Sequence, residues 1–280
     1  MPRLPLSLDW EDWFQLCCPP YDLPDALDCF ECRLPLVTDL ALSFCAEIGA
    51  KGTWFCLADQ ALRHPGLLRR IVAEGHAIGL HGLTHQRAFA LDRAHWLASV
   101  QAGKARLEDL SGQAIRGYRA PEWSLRGPAL DWWQDLQGLG FTYDSSRVPL
   151  AVIGSASLPR APYRLADGLW ELPPPVLWTG PWRCPLWGWG PRVLPFGLVR
   201  QAWLDLASRD AGTPLVLHPW ELDERQPSLP GGSLGHRFVH SAGLRGYGER
   251  LRELVAGIRL VSLEAWLQEQ EGPACAARRP

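Results

Sequence analysis

Four short stretches of this 280-residue chain carry side chains that could do chemistry together. His81-Gly-Leu-Thr-His85 places two imidazoles at i and i+4, a separation that lets both meet one metal ion. Asp9-Trp-Glu-Asp12 sets three carboxylates within four residues, a repulsion that a divalent cation would relieve. On an extended strand Glu11 shares the face of Asp9, whereas Asp12 reaches that side only if the chain turns after Trp10. Glu11 and Asp12 are therefore both candidates for a third metal ligand. Arg119, in Gly-Tyr-Arg-Ala-Pro121, can hold a carboxylate by a two-pronged contact, its direction fixed by Pro121. His218 closes the apolar run Leu215-Val-Leu217, where an imidazole is half buried and able to move protons near neutrality. Each stretch also has a plainer reading: a solvated acidic turn, a surface ion pair, a structural histidine.

The elements that must position these residues alternate between strand and helix. Apolar and β-branched runs predict strands at Leu4–Asp9, Gly52–Leu57, His76–Leu80, Arg116–Ala120, Phe141–Ser145, Leu169–Leu172, Pro214–His218 and Ile258–Val261. Helical spacing predicts helices at Leu36–Gly49, Pro65–Glu74, Asp92–Leu110, Ala129–Leu136, Phe196–Ser208, Gly248–Val255 and Leu263–Glu269. Residues 10–35 and 223–245, rich in Pro, Gly or Ser, read as loops. Strand-then-helix units imply parallel strands with right-handed crossovers. About seven of them predict an α/β fold, a single-domain distorted (β/α) barrel over residues 1–270, followed by a disordered tail at 271–280. In such a barrel chemistry sits at the carboxyl ends of the strands. Asp9, Glu11, Asp12, His81, His85, Arg119, Asp144, Glu171 and His218 all fall there, forming a polar ring at one mouth.

Composition narrows the field. Net charge is −2 and the isoelectric point is near 6.4, which gives no support to a nucleic-acid partner. Hydrophobic residues make up 47%, against disorder. No apolar run reaches the ~18–20 residues of a membrane span, and no leader pattern opens the chain, so a cytoplasmic location is expected. No G-x-G-x-x-G follows the first strand, which counts against dinucleotide binding. Eight cysteines, with one lone Cys29-x-x-Cys32, predict reduced thiols. Fifteen tryptophans exceed what one core needs, and indole faces suit sugars. Nine of them (Trp10, Trp13, Trp123, Trp170, Trp178, Trp182, Trp187, Trp189 and Trp220) are expected near the mouth, and the other six in packing.

The ordered stretches LSLDWEDWF, HGLTH, GYRAPEWS, YDSS, WELP and LHPWELD with the following HRF resemble the polysaccharide deacetylases with a NodB-homology domain, carbohydrate esterase family four. The similarity is greatest to the subgroup associated with exosortase and exopolysaccharide gene clusters, which carries its own C-terminal extension, here from about residue 221. The resemblance implies a barrel of seven strands and one divalent metal ion, usually zinc, on His81, His85 and Glu11 or Asp12. It implies Asp9 as catalytic base oriented by Arg119, and His218 as catalytic acid. Leu217, Trp123, Trp220 and Pro121 are the residues expected to contact substrate. The family's acid that supports the catalytic histidine has no plain counterpart, and Glu171 is the candidate for that place. A backbone N–H after the fourth strand is expected to meet the oxyanion. The implied activity is removal of N-acetyl groups from an amino-sugar glycan or its lipid-linked precursor in exopolysaccharide or cell-envelope biosynthesis, with peripheral contact to membrane-bound polysaccharide machinery. Hydrolysis of another C–N bond, as in a cyclic amide or ureide, and non-catalytic carbohydrate binding are the alternatives.

Overall fold

The computed structural model describes residues 1–17, 29–165, 168–179, 182–229 and 233–271. The expected tail from 272 onward, Cys18, Cys275 and the Pro-rich part of the first loop lie outside the described residues. Seven parallel strands form the main sheet: β1 (Arg3–Trp10), β2 (Thr53–Cys56), β3 (Ala77–Leu80), β4 (Gly117–Tyr118), β5 (Tyr143–Asp144), β7 (Trp170–Glu171) and β10 (Leu215–Leu217). They run in the order β10-β1-β2-β3-β4-β5-β7, and β6 (Tyr163–Arg164) adds an antiparallel edge on β7. β11 (Arg259–Val261) pairs in parallel with the start of β1. The sheet curls without closing, since among the described residues β10 and β6 end its two sides unpaired with each other. It is a half-barrel.

Alternation along β1 sets the two faces. Leu4, Leu6, Leu8 and Trp10 are buried in the main core between sheet and helices, whereas Ser7 and Asp9 face the concave interior. The interior is plugged at its amino end by a helix over Leu263–Glu271. Leu263 and Trp266 pack there with Phe55 and Tyr143, and Glu264 takes hydrogen bonds from Thr53 and Tyr143. The opposite end, where the strands finish, is open to the site.

Helix ends follow the sequence closely. The longest helix, Arg93–Ser111, is capped by Asp92, whose carboxylate takes the His95 N–H at 2.9 Å, and stops at Gly112 with φ +67°. α1 (Leu34–Glu47) starts with Pro35 in its first turn. Four segments depart from expectation. Ala58–Arg63 forms a short extra helix directly after β2. The expected loop at 223–245 contains a helix, Leu234–Ser241, capped by Ser233. The Pro-rich segment forms an antiparallel pair, β8 (Val176–Thr179) with β9 (Trp182–Pro185), and a short helix at Trp189–Val193. A helix predicted at Ala129–Leu136 is split, with a tight turn at Gly127–Ala129 and helix only from Trp133 to Gly138.

Candidate active site

Two histidines and one carboxylate converge past the ends of β1 and β3. Glu11, His81 and His85 each offer one ligand atom within 4.8 Å of the others. Glu11 Oε2 lies 2.8 Å from His85 Nε2 and 3.5 Å from His81 Nε2. His81 Nδ1 is 2.8 Å from the Arg119 carbonyl oxygen, a contact in which Nδ1–H donates and Nε2 keeps its lone pair toward Glu11. His85 Nδ1 meets the Cys17 sulfur at 3.4 Å. Burial alone would push the Glu11 carboxyl up, but His85, His81 and His218 outweigh it and hold Glu11 well below the usual carboxylate range. A buried carboxylate facing two imidazole nitrogens is a donor set that suits a borderline cation such as zinc.

Asp12 is not part of this cluster. Its Oδ2 accepts the N–H groups of Arg33 and Leu34 at 2.8 and 3.0 Å, and its Oδ1 that of Trp13 at 2.9 Å. The chain does turn after Trp10, with Glu11 N–H bonded to the Asp9 carbonyl, but the turn sends Asp12 to the start of α1. Asp12 is therefore a cap that supplies acceptors for the free amides of a helix start.

Asp9 and His218 flank the cluster. Arg119 is fully buried and donates from Nη1 to Asp9 Oδ1 at 2.5 Å. The grip on Asp9 is single, because Nη2 is spent on Ser7 and Ser145 hydroxyls at 2.9 and 2.8 Å and Nε on the Ser145 carbonyl at 3.2 Å. Below, the Phe55 ring lies 4.3 Å from the guanidinium carbon. His218 Nε2 points at the same space, 3.8 Å from Asp9 Oδ2 and 3.9 Å from Glu11 Oε1.

The support of His218 comes from Glu221 rather than Glu171. Glu221 Oε2 accepts the His218 backbone N–H at 2.9 Å and lies 3.1 Å from His218 Nδ1. Burial works against a charged His218, but Glu221, with Glu11 and Asp9 behind it, reverses this and pushes the imidazole up to about 9. Glu221 in turn faces Arg192, with Nε 3.2 Å from its Oε1 and both side chains fully buried. The local signal was in the sequence, as His218-Pro-Trp-Glu221 has the i, i+3 spacing of a capping box. Glu171 instead pairs with Asp144 at the ends of β7 and β5, away from His218. Burial raises both carboxyls, Asp144 to about 6 and Glu171 well above its usual range, and the Asp144 charge adds to the push on Glu171.

Asp9, Glu11, His81, His85 and His218 line a cavity of about 450 Å³. Residues 27–143 match the family model described as polysaccharide deacetylase, and residues 145–268 match a domain of unknown function, DUF3473. The chain is 30% identical over 108 residues to YheN of Bacillus subtilis, a polysaccharide deacetylase by assignment, the match covering 38% of each. It is 27% identical over 78 residues to a peptidoglycan-N-acetylglucosamine deacetylase of Bacillus cereus, covering 28% of this chain and 29% of that one. Both matches span well under half of those relatives. A solved structure from Mycobacterium smegmatis, assigned to the polysaccharide deacetylases, shares the fold over 97% of this chain and 92% of its own, with TM-score 0.64 and 22% identity.

The deacetylase match supplies His81, His85 and Arg119. Asp9 and Glu11 precede it, while His218, Glu221 and Arg192 lie in the DUF3473 match. One sheet joins both regions, since β7 and β10 of the second continue the strand order of the first. Trp123, Trp187, Trp189 and Trp220 line the cavity, whereas Leu217 and Pro121 do not. Leu217 is in register with Leu8, so its side chain belongs to the main core, on the sheet face away from Asp9. Trp10 is turned the same way and its indole N–H bonds Thr38. Trp13 bonds the Glu31 carbonyl within the core. Trp170 packs on Trp266, and Trp178 lies among the guanidiniums of Arg160 and Arg183; neither lines the cavity. The side chain of Trp182 lies outside the description. Trp123 follows Glu122, both with φ near +50°, a backbone that non-glycine residues adopt at a cost of order 1–3 kcal/mol.

Proposed function

We propose that the chain is a metal-dependent carbohydrate N-deacetylase. The observation that carries this is the convergence, at one cavity, of Glu11–His81–His85, of Asp9 held by Arg119, and of His218 held by Glu221. Glu11, His81 and His85 are the three protein ligands in this reading. A divalent ion there, zinc by donor type, supplies Lewis-acid polarisation of the acetamide carbonyl and a more acidic water.

Asp9 takes the proton of the attacking water. Arg119 holds one of its oxygens, which leaves the other facing the cavity and His218. His218 delivers a proton to the departing amine nitrogen from Nε2, its ring fixed through Nδ1 by Glu221. In the loop after β4 the amides of Ala120, Trp123 and Ser124 are bonded within the protein and Pro121 has none. The Glu122 N–H is therefore assigned as oxyanion donor. Trp123 and Trp220 offer apolar walls for a sugar ring. The products are acetate and a free amino sugar.

The named substrate of the Bacillus cereus relative is peptidoglycan N-acetylglucosamine, and an N-acetylated amino sugar is the substrate class taken here. The resemblance extends the reading to exopolysaccharide or cell-envelope biosynthesis in the cytoplasm, on a glycan or a lipid-linked precursor. No helix among the described residues is long and apolar enough to cross a membrane.

The test is acetate release by zinc-loaded protein from a panel of N-acetylated amino sugars, with allantoin and cyclic imides alongside. Release that a chelator abolishes and zinc restores supports the reading. Turnover of the cyclic amides alone moves the protein to the other C–N hydrolases. Binding of sugars without turnover moves it to the carbohydrate-binding proteins.

A further inference from the structure

Arg192 takes no part in the chemistry above, yet it is among the most costly side chains in the molecule. Its side chain is fully buried, and so is that of its partner Glu221. Desolvating such a pair consumes most or all of what the pair returns, so stability alone does not account for it. We propose that Arg192 is a positioning residue for His218, acting through Glu221, and that it anchors the cavity-wall helix Leu234–Ser241 to the same point. This rests on the deacetylase reading.

Glu221 stands between two groups. One oxygen faces Arg192 Nε at 3.2 Å as an ion pair, the Nε–H itself being donated to the Gly188 carbonyl, and the other takes the His218 N–H and faces its Nδ1. Without Arg192 the buried Glu221 carboxylate would keep only the His218 imidazolium as a cationic partner, and it would then share that proton more fully or draw in water. Either change weakens the charged acceptor that fixes the His218 ring. Arg192 also donates from Nη1 to the His240 carbonyl at 2.8 Å and from Nη2 to that of Val239, both in the last turn of the wall helix. Its guanidinium carbon lies 5.6 Å from the centre of the Trp220 ring, which stacks on His218 at 5.2 Å on one side and on His240 at 4.8 Å on the other. The wall helix and the proton donor are thus held by one guanidinium.

The backbone that carries Arg192 is built for close approach. A Cβ at Gly190 would lie 1.8 Å from the Pro185 carbonyl oxygen, so the helix Trp189–Val193 sits directly on the end of β9. Gly243, at φ +71°, passes so near that a Cβ there would lie 2.7 Å from the Arg192 carbonyl oxygen. Arg192, Glu221 and the wall helix all belong to the DUF3473 match, which gives that region a task in the active site.

The test separates steps by their need for a general acid. Full-length, zinc-loaded wild type, R192M, R192K, E221Q and H218A are assayed on an acetylated amino sugar, whose amine must be protonated as it leaves. They are also assayed on 4-nitrophenyl acetate, whose phenolate leaves unaided. R192M should lower kcat on the amide by about a hundredfold with KM changed less than about threefold, and leave ester turnover near wild type. R192K should recover part of the loss. The double variant R192M/E221Q should be no worse than E221Q alone, since the two act in series. Equal losses on amide and ester, additive losses in the double variant, or wild-type amide turnover in R192M would each overturn the inference while leaving the deacetylase reading intact. A wild type that releases no acetate from any substrate would overturn both.

Discussion

A carboxamide in place of Glu11 keeps the side chain's shape and removes the charge that His81 and His85 face. E11Q should lower zinc affinity by more than about a hundredfold in calorimetric titration, beyond the 10–100-fold typical of changes behind the ligands. D12A should keep zinc affinity but lose roughly 1–2 kcal/mol of stability in urea unfolding, the cost of a missing helix cap. The reverse pattern would exchange their roles. D9N and H218A should each reduce kcat at least about a hundredfold, measured by acetate release. At this scale the sequence was legible where residue type alone decides. His81, His85, Arg119 and His218 could be picked out by what they are and where their strands end. It was ambiguous where one bond's rotation decides, as between Glu11 and Asp12, or where strand parity decides, as for Leu217. Glu221 was overlooked because a glutamate three residues past a histidine is common on any turn.

Between elements, the paired ends of β5 and β7 give a pH signature. Asp144 and Glu171 titrate above their ordinary ranges, so the folded state binds more protons than the unfolded one. Stability from this pair is fully present below about pH 4 and is lost as pH rises through about 6 and beyond. His76 and His240, both pushed down to about 4, oppose this by favouring the folded state at higher pH. The comparison must therefore be with E171Q. The melting temperature of wild type relative to E171Q should fall between pH 5 and pH 7, and a constant difference would remove the pair's role. Composition misled most at the level of elements. Gly, Pro and Ser around residues 223–245 mask the Leu234–Ser241 helix. That helix leaves Leu234 and Phe238 exposed and buries His240, so its apolar pattern does not mark a core-facing stripe.

For the whole molecule, the fold class was readable because eight strand-like runs recur between helices and because one direction of travel puts every polar strand end at one mouth. The open seam was not readable, since closure depends on how far short edge strands curl rather than on any residue. The connectivity of β1 has a further consequence. It is the first strand, it carries Asp9 at its end and Glu11 just beyond, and it is flanked by β2, β10 and β11, the last two contributed some 200 residues and more later. Pairing across such separations makes folding slow, because a long loop must close before any contact is gained. During synthesis β1 can pair with β2 early but lacks its β10 and β11 partners until those leave the ribosome, and the half-built sheet stays exposed to other chains meanwhile. The end of β1 that carries Asp9 therefore gains its second neighbour only with β10, and ribosome-bound chains ending before Leu215 should protect Leu6–Trp10 from protease less than the 280-residue chain does.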